Sequence, residues 1–268
     1  MLIATWNVNS IRQRLDSVTA WLAERQPDVV CLQEIKCLDE AFPREPFEAL
    51  GYNVAVHGQK TFNGVALLSK VPFDEVHPRL KGDDEDVQAR YLEAVISTDA
   101  GVLRVGSIYL PNGNPPNTDK YPYKLKWIDR LTAYADELLK LEEPLVLAGD
   151  YNIIPAAADV HNPEAWLTDA LFLPQTRARF QSLLNLGLVD ALRAATDEAG
   201  LYTFWDYQAG AWQKNWGIRI DHLLLSPQAA DRLTGVVIDK HVRAWERPSD
   251  HVPVVAEFDI EPRQPETA

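Results

Sequence analysis

The chain has 268 residues, 46% of them hydrophobic and 24% charged, the profile of a folded globular protein long enough to bury one large core. No apolar run approaches the ~20 residues that span a bilayer, and the opening MLIATWNVNS has neither the basic segment nor the small-residue cleavage site of a leader, so the reading is cytoplasmic, with no membrane partner. A net charge of −13 argues against a surface that grips nucleic acid everywhere, because phosphate neutralisation supplies most of such affinity, but it leaves room for a local cationic face.

LIATWNV (2–8) is short, apolar and partly alternating, and reads as a strand. From Ser17 to Arg25, Val18, Trp21, Leu22 and Arg25 share one helical stripe, which Pro27 ends. DVVCLQE (28–34) reads as a buried strand. Cys31 and Cys37 match no zinc spacing and fit a reducing compartment, and Cys31, within the apolar run, fits core packing. YNVAVH, GVALLSK, RYLEAVIST and VLRVGSIYL follow as strands separated by turn residues. Leu125, Ile128, Leu131, Ala135, Leu138 and Leu139 keep a helical period from about Tyr123 to Leu141. PLVLAGDYN (144–152) is a buried strand, 153–175 a long loop of functional rather than boundary character, and Thr176 to Asn185 a helix. RIDHLLLS, GVVID and VPVVAEFDI supply the last strands. Strands outnumber helices and many follow one another without a crossover, so mixed or antiparallel sheets packed face to face, with helices outside, are expected. No linker divides the chain: one domain over 1–260 is followed by a polar tail, 261–268, expected to be disordered.

Polar groups interrupt these apolar runs at the strand ends. LIATW runs into Asn7, VVCLQ into Glu34, VGSI into Tyr109, LVLAG into Asp150 and Asn152, and RI into Asp221, while Asp250 and His251 open the last strand. Any one of these is a common terminator or turn cap; on strands stacked in register, all of them are expected to converge on one rim. Glu34, Asp250 and Asn7 are hard oxygen ligands suited to Mg²⁺ or Mn²⁺ rather than zinc, and carboxylates gathered without a cation would repel one another. Asp150 and Asn152, two apart on a strand, share a side, so one can orient or deprotonate a water while the other hydrogen-bonds to it or to the substrate. Tyr109 offers a hydroxyl to an anionic oxygen. His251 donates to a developing oxyanion if Asp221 holds its other nitrogen. With no glycine-rich nucleotide loop, this set describes metal-assisted hydrolysis of a phosphate ester.

WNVNSIR (6–12), LQEIK (32–36), NGVALLSK (63–70), YLPNGN (109–114), LAGDYNI (147–153), TFWDYQ (203–208), IRIDHLLLS (218–226) and RPSDHVPV (247–254) resemble, in this order, the signature blocks of the exonuclease III family of abasic-site endonucleases. The resemblance runs from residue 2 to about 260. It implies a four-layered α/β sandwich, two packed mixed β-sheets flanked by helices, with a Mg²⁺-dependent site (Mn²⁺ as substitute) at one rim. Glu34 would ligate the metal with Asn7 and Asp250 near it, and Asp150 would activate water. Asn152 and Tyr109 would contact the scissile phosphate, and Asp221 with His251 would form the paired phosphate binder. The implied partner is double-stranded DNA bearing abasic sites or blocked 3′ ends. A monomer would cut it 5′ to the abasic site to leave a 3′-hydroxyl, with 3′–5′ exonuclease and 3′-phosphatase activity besides. Arg12, Phe62 and Arg90 match DNA-contacting positions; Phe204 and Trp205 resemble the aromatics that enclose a flipped abasic sugar, and core packing fits Trp205 equally.

The sequence also departs from the pattern. Asn9 stands where some relatives carry Asp, which removes a carboxylate near the metal, and Ile218 stands where some have a larger aromatic, which loosens the sugar pocket. Lys120, Lys124, Lys126 and Arg130 read as a DNA-facing or an ordinary solvated helix face. His57, His77, His161, His222 and His241 share no spacing and read as structural or exposed, with His161 set apart because its loop could cross DNA. Two other readings stand: a phosphatase or phosphodiesterase of the same superfamily acting on inositol phosphates, sphingomyelin or undamaged DNA, and a catalytically idle nucleic-acid-binding regulator. Tyr109 speaks against the first, whose branches typically carry His there. The full set of Glu34, Asp150, Asn152, Asp221, Asp250 and His251 speaks against the second.

Overall fold

The computed structural model describes residues 1–99 and 101–263. In chain order the strands are β1 (Leu2–Asn7), β2 (Val29–Gln33), β3 (Asn53–His57), β4 (Val65–Ser69), β5 (Glu75–Pro78), β6 (Tyr91–Thr98), β7 (Gly101–Tyr109), β8 (Leu145–Asp150), β9 (Val189–Asp190), β10 (Asp221–Leu225), β11 (Leu233–Ile238) and β12 (Val254–Phe258). The helices are α1 (Leu15–Arg25), α2 (Arg44–Ala49), α3 (Lys120–Leu139), α4 (Pro174–Asn185), α5 (Ala191–Ala195) and α6 (Pro227–Ala230). The two ends of the chain build one six-stranded sheet, ordered β11-β12-β1-β2-β4-β3, and its middle builds the other, ordered β5-β6-β7-β8-β10-β9. Each is mixed: β1 with β2 and β7 with β8 run parallel among antiparallel neighbours.

Strand alternation sends Ile3, Val29, Cys31, Leu67, Val105 and Ala148 between the sheets, and Trp6, Val30 and Leu32 to the outer face. There α1 buries Val18, Trp21 and Leu22, with the Trp6 and Trp21 rings edge-on at 5.4 Å. Over the second sheet α3 and α4 bury Trp127, Ile128, Leu131, Phe180 and Leu183 against Ile108 and Leu147. The order helix, sheet, sheet, helix is the sandwich that the motifs implied. Each fully buried large apolar side chain stabilises it by ~1.5–3 kcal/mol.

The parallel pairs deliver their carboxyl ends to one rim. Asn7 lies opposite Gln33, so Glu34 follows directly at the end of β2. Across the facing sheet Tyr109, Asp150 and Asp221 occupy one row of β7, β8 and β10. Gly149 makes that row possible, because a Cβ there would sit 1.9 Å from the Ile108 carbonyl oxygen.

Every expected strand is present with ends shifted by at most two residues, and two of those shifts matter. β8 stops at Asp150, and Asn152 turns away with φ 49°, so the two are not successive same-side strand residues. β12 starts at Val254, which leaves Asp250 and His251 in the segment approaching it. The elements not anticipated, β5, β9, α2, α5 and α6, are two to six residues long, too short to show a period. Of the tail expected from 261, the first residues are held: Asp99 N–H donates to the Glu261 carbonyl and Pro262 bridges to Thr98. Its remainder, 264–268, lies outside the described residues.

Candidate active site

Backbone that leaves the strands abruptly turns the rim into a site. Asn9, Glu34, Lys36 and Asn152 have φ of 44°, 50°, 54° and 49°. Asn tolerates this region, whereas Glu and Lys adopt it at a cost of about 1–2 kcal/mol each. Hydrogen bonds from the Ile35 and Lys36 N–H groups to the Gly64 and Asn63 carbonyls hold them there. A cleft of about 320 Å³ opens at this point, with Glu34, Tyr109, Asp150, Asn152, Asp250 and His251 in its walls.

Asn7 ties the acidic wall together. Its Nδ2 donates to Glu34 Oε1 and to Asp150 Oδ2, both at 2.9 Å, while its Oδ1 accepts from the Asn9 N–H at 3.0 Å. Expected as an oxygen ligand, Asn7 instead turns its N–H groups to the carboxylates and spaces them. Burial would raise the Glu34 carboxyl, but the Lys36 ammonium 3.0 Å away and the Asn7 amide outweigh it and hold it below the usual range. Donor atoms of Glu34, Asp150 and His251 lie within 4.8 Å of one another. Asp150, rather than the expected Asp250, therefore joins Glu34 in the tight group. Asp250 stays in the cleft wall, its Oδ1 accepting from Asn9 Nδ2 at 3.2 Å. Two adjacent carboxylates with a third in the same wall fit a hard divalent cation.

His251 supplies the opposite charge. Its Nδ1 meets Asp221 Oδ2 at 2.9 Å and Oδ1 at 3.1 Å, and its Nε2 faces Asp150 Oδ2 at 3.7 Å. Burial alone would depress the imidazole, yet the Asp221 and Asp150 carboxylates outweigh it and raise it to about 10. The imidazole is thus held toward its charged form, with Nδ1–H donating to Asp221 and Nε2 turned toward Asp150. Asp150 is pushed up to about 7 by burial, against the pull of His251. Tyr109 is raised well above the usual phenol range by burial and by the Glu34 and Asp150 carboxylates. The phenol is therefore held in its protonated, hydrogen-bond-donating form. Asn152 is held by its own partners: Nδ2 donates to the Leu110 carbonyl at 2.8 Å, and Oδ1 accepts from Asn112 at 3.2 Å.

Around this centre the other expected residues divide. Phe204 is half-buried in the cleft wall with its ring edge-on to His251 at 5.0 Å, and Ile218 and Ile220 line the same wall. Trp205 is a correction: it has no exposed surface, its Nε1 donates to Asn215, and it packs on Trp212 and Tyr202, so it is core rather than a DNA contact. Neighbouring aromatics on an extended segment point to opposite sides, and only one can face the cleft. Phe62 is 66% exposed on the loop beside Asn63 and Gly64. Arg12 is exposed in a groove with Arg14, Tyr207 and Arg247. Arg90 stacks on the Tyr109 ring at 4.9 Å and bonds to the Tyr109 carbonyl, so it braces Tyr109.

Lys124, expected on a DNA-facing or solvated helix face, is instead fully buried. Its Nζ donates to the Asn112 carbonyl at 3.0 Å and the Asn152 carbonyl at 2.5 Å, clamping the two asparagine loops. Its spacing was the missed signal, since Lys124, Ile128, Leu131, Ala135 and Leu138 form one buried stripe. Arg219 was also missed. It bonds Asp159 and Asp190 at 2.7 and 2.8 Å and tethers the 153–175 loop beneath Asp221.

Residues 4–251 match the model of the endonuclease/exonuclease/phosphatase family. Exodeoxyribonuclease III of Haemophilus influenzae is 38% identical over 266 residues, covering 96% of this chain and 100% of that protein. An AP endonuclease from Archaeoglobus fulgidus superposes with a TM-score of 0.91 at 38% identity, over 97% of this chain and 99% of that one. A 3′ phosphatase, NExo, from Neisseria, solved with a product DNA hairpin, superposes with a TM-score of 0.93 at 41% identity, over 97% and 99% of the two chains. With the paired sheets and the rim constellation already in place, these likenesses establish that the chain belongs to the endonuclease/exonuclease/phosphatase family.

Proposed function

We propose that this protein is a Mg²⁺-dependent DNA-repair phosphodiesterase that cuts duplex DNA 5′ to abasic sites, leaving a 3′-hydroxyl, and that also trims blocked or terminal 3′ residues. The observation that carries the reading is the buried Asp221–His251–Asp150 row beside Glu34. His251, a cation held from behind by Asp221, donates from Nε2 toward a phosphate oxygen, where negative charge grows as the phosphodiester is attacked. Asp150 takes the proton of the attacking water, whose oxygen bonds to phosphorus as the P–O3′ bond breaks. The neutral Tyr109 phenol donates to a phosphate oxygen, and Asn152, clamped by Leu110 and Asn112, fixes the far side of the cleft. Glu34 and Asp150, with Asp250 in the same wall, would hold a divalent cation, which would supply further positive charge to the phosphate.

The test is an end-labelled duplex with one abasic analogue, incubated with protein and Mg²⁺, with EDTA, and with Asp150→Asn. Incision should appear only in the first mixture, and the variant should lose at least about 10²-fold in rate. Absence of incision by the native protein, or near-native turnover by the variant, overturns the reading.

A further inference from the structure

The groups of the cleft come from both sheets. Asn7 ends β1 and Glu34 follows β2 in the first, whereas Tyr109 and Asp150 end β7 and β8 in the second. Their spacing therefore depends on how one sheet sits on the other. Apolar packing holds two sheets together but has no direction, and it tolerates small slides. Further from the rim, Ile3, Val29, Cys31 and Val105 pack in this way.

Directly behind the rim the chemistry changes. Thr5, Gln33 and Ser107 have no exposed surface, and they form one directed chain of hydrogen bonds. The Thr5 hydroxyl donates to Gln33 Oε1 at 3.2 Å, Gln33 Nε2 donates to Ser107 Oγ at 3.2 Å, and the Ser107 hydroxyl donates to the Leu32 carbonyl at 3.3 Å. The last two bonds cross from β2 to β7 and back, and so join the sheets. Thr5 and Ser107 stand two residues before Asn7 and Tyr109, on the same faces of β1 and β7, and Gln33 is bonded in the chain to Glu34. A buried polar group left without a partner is costly, and a slide of one sheet would break both bonds to Ser107.

We infer that Thr5, Gln33 and Ser107 are positioning residues, whose hydrogen bonds lock one sheet in register on the other and so hold Asn7 and Glu34 at working distance from Tyr109 and Asp150. Buried as they are, none of the three can touch DNA; on the phosphodiesterase reading above, they act through the groups that do. Fixing a register is a use to which buried polar groups are suited. Because the chain sets the geometry of bound reactants and adds nothing to the binding surface, its loss should lower kcat and spare KM.

The experiment sets the native protein beside Ser107→Ala, Gln33→Met, the triple variant Thr5→Val/Gln33→Met/Ser107→Ala, and Ile96→Val as a control, on an abasic-analogue duplex with saturating Mg²⁺. Ile96 is buried between the sheets where β6 pairs with Leu103, away from the rim. Ser107→Ala and Gln33→Met should each lower the urea midpoint and lower kcat by at least about tenfold, with KM within about twofold. The triple variant replaces every member of the chain by an apolar group of similar shape, so its midpoint should recover toward the native one while kcat stays low. Ile96→Val should lower the midpoint and leave kcat within about twofold. Calorimetric titration with Mn²⁺, without DNA, should show about tenfold weaker binding in the three polar-chain variants and native binding in Ile96→Val, because Glu34 and Asp150 are no longer held at one spacing. Recovery of kcat together with the midpoint in the triple variant, native kcat in Ser107→Ala, or an equal loss of kcat in Ile96→Val overturns the positioning role. If the triple variant does not fold, Ser107→Ala against Ile96→Val decides. If the native protein does not incise the duplex, the abasic reading falls, and the Mn²⁺ affinities alone decide: weakening confined to the polar-chain variants upholds the role, and native affinity in them overturns it.

Discussion

At the scale of single residues, the site works by setting neighbouring groups in opposite protonation states. Asp221 is the residue that does this for His251, so its replacement makes a signed prediction. In Asp221→Asn the imidazole loses its strongest support, and its value falls from about 10. The alkaline limb of the kcat profile should move to lower pH. Asp221 also helps to raise Asp150, so the acid limb should move down with it, and kcat at its optimum should fall by about 10². Limbs that stay in place would remove Asp221 from the role given to it. Lys124 makes a second prediction. Burial depresses its ammonium to about 7 in the folded protein, against ~10.4 in an unfolded chain. The unfolded chain therefore binds the proton more tightly, and the penalty present below about 7 is relieved as pH rises toward ~10. Lys124→Met leaves two carbonyls without a donor, at ~1–3 kcal/mol, and removes that titration. Urea unfolding should show a gap between native and variant that widens from pH 7 to 9.5.

At the scale of elements, what could be read from the sequence and what could not have separate causes. The strands were legible because each is an apolar run bounded by turn residues, and the rim was legible because a polar group that ends a buried strand needs a reason. The exact exits were not legible: β8 stops before Asn152 because that residue turns left-handed, which no period announces. Trp205 and Phe204 are adjacent aromatics, and burial alone separates core from cleft wall. Lys124 was hidden by its own polarity within an apolar stripe. The 153–175 loop reads as functional from its length and composition, but its anchor is not legible, because Arg219 finds Asp159 and Asp190 far along the chain. That anchor carries a prediction. His222, lowered to about 4 by burial and by Arg219, is neutral; its Nδ1 accepts from Arg219, and its Nε2–H donates to the Ile153 carbonyl. Arg219→Met should expose the network as a unit, since it strands a buried carboxylate at Asp190 and costs ~3–5 kcal/mol. A urea midpoint within error of the native one would show that the network does not hold the loop.

At the scale of the whole molecule, a chain of net charge −13 must still receive a polyanion. The acidic run offers part of the resolution, because Asp83 pairs with Lys126 at 2.6 Å and Asp86 with Arg130 at 2.7 Å, both on α3. Elsewhere, cations stand at the mouth of the site: Arg12, Arg14 and Arg247 line one groove, where Arg14 bonds Tyr207, itself bonded to Asn9 beside Asp250. Arg247 is 86% exposed at its side chain and its nearest acid, Glu246, is 4.0 Å away, so its charge is largely unspent. A duplex held in the cleft would therefore meet a local positive field that the net charge conceals. Binding should then be steeply salt-dependent, and the slope should report these residues individually. With Asp150→Asn to prevent cleavage, Arg12→Ser or Arg247→Ser should each lower the slope of log affinity against log salt by about 0.9, the value of one phosphate contact. Arg179→Ser serves as the control, because Arg179 is paired with Asp129 between α4 and α3 and its loss should leave the slope unchanged. If the control shifts as much as the groove variants do, the DNA is answering to overall charge rather than to this face, and the groove loses its assignment.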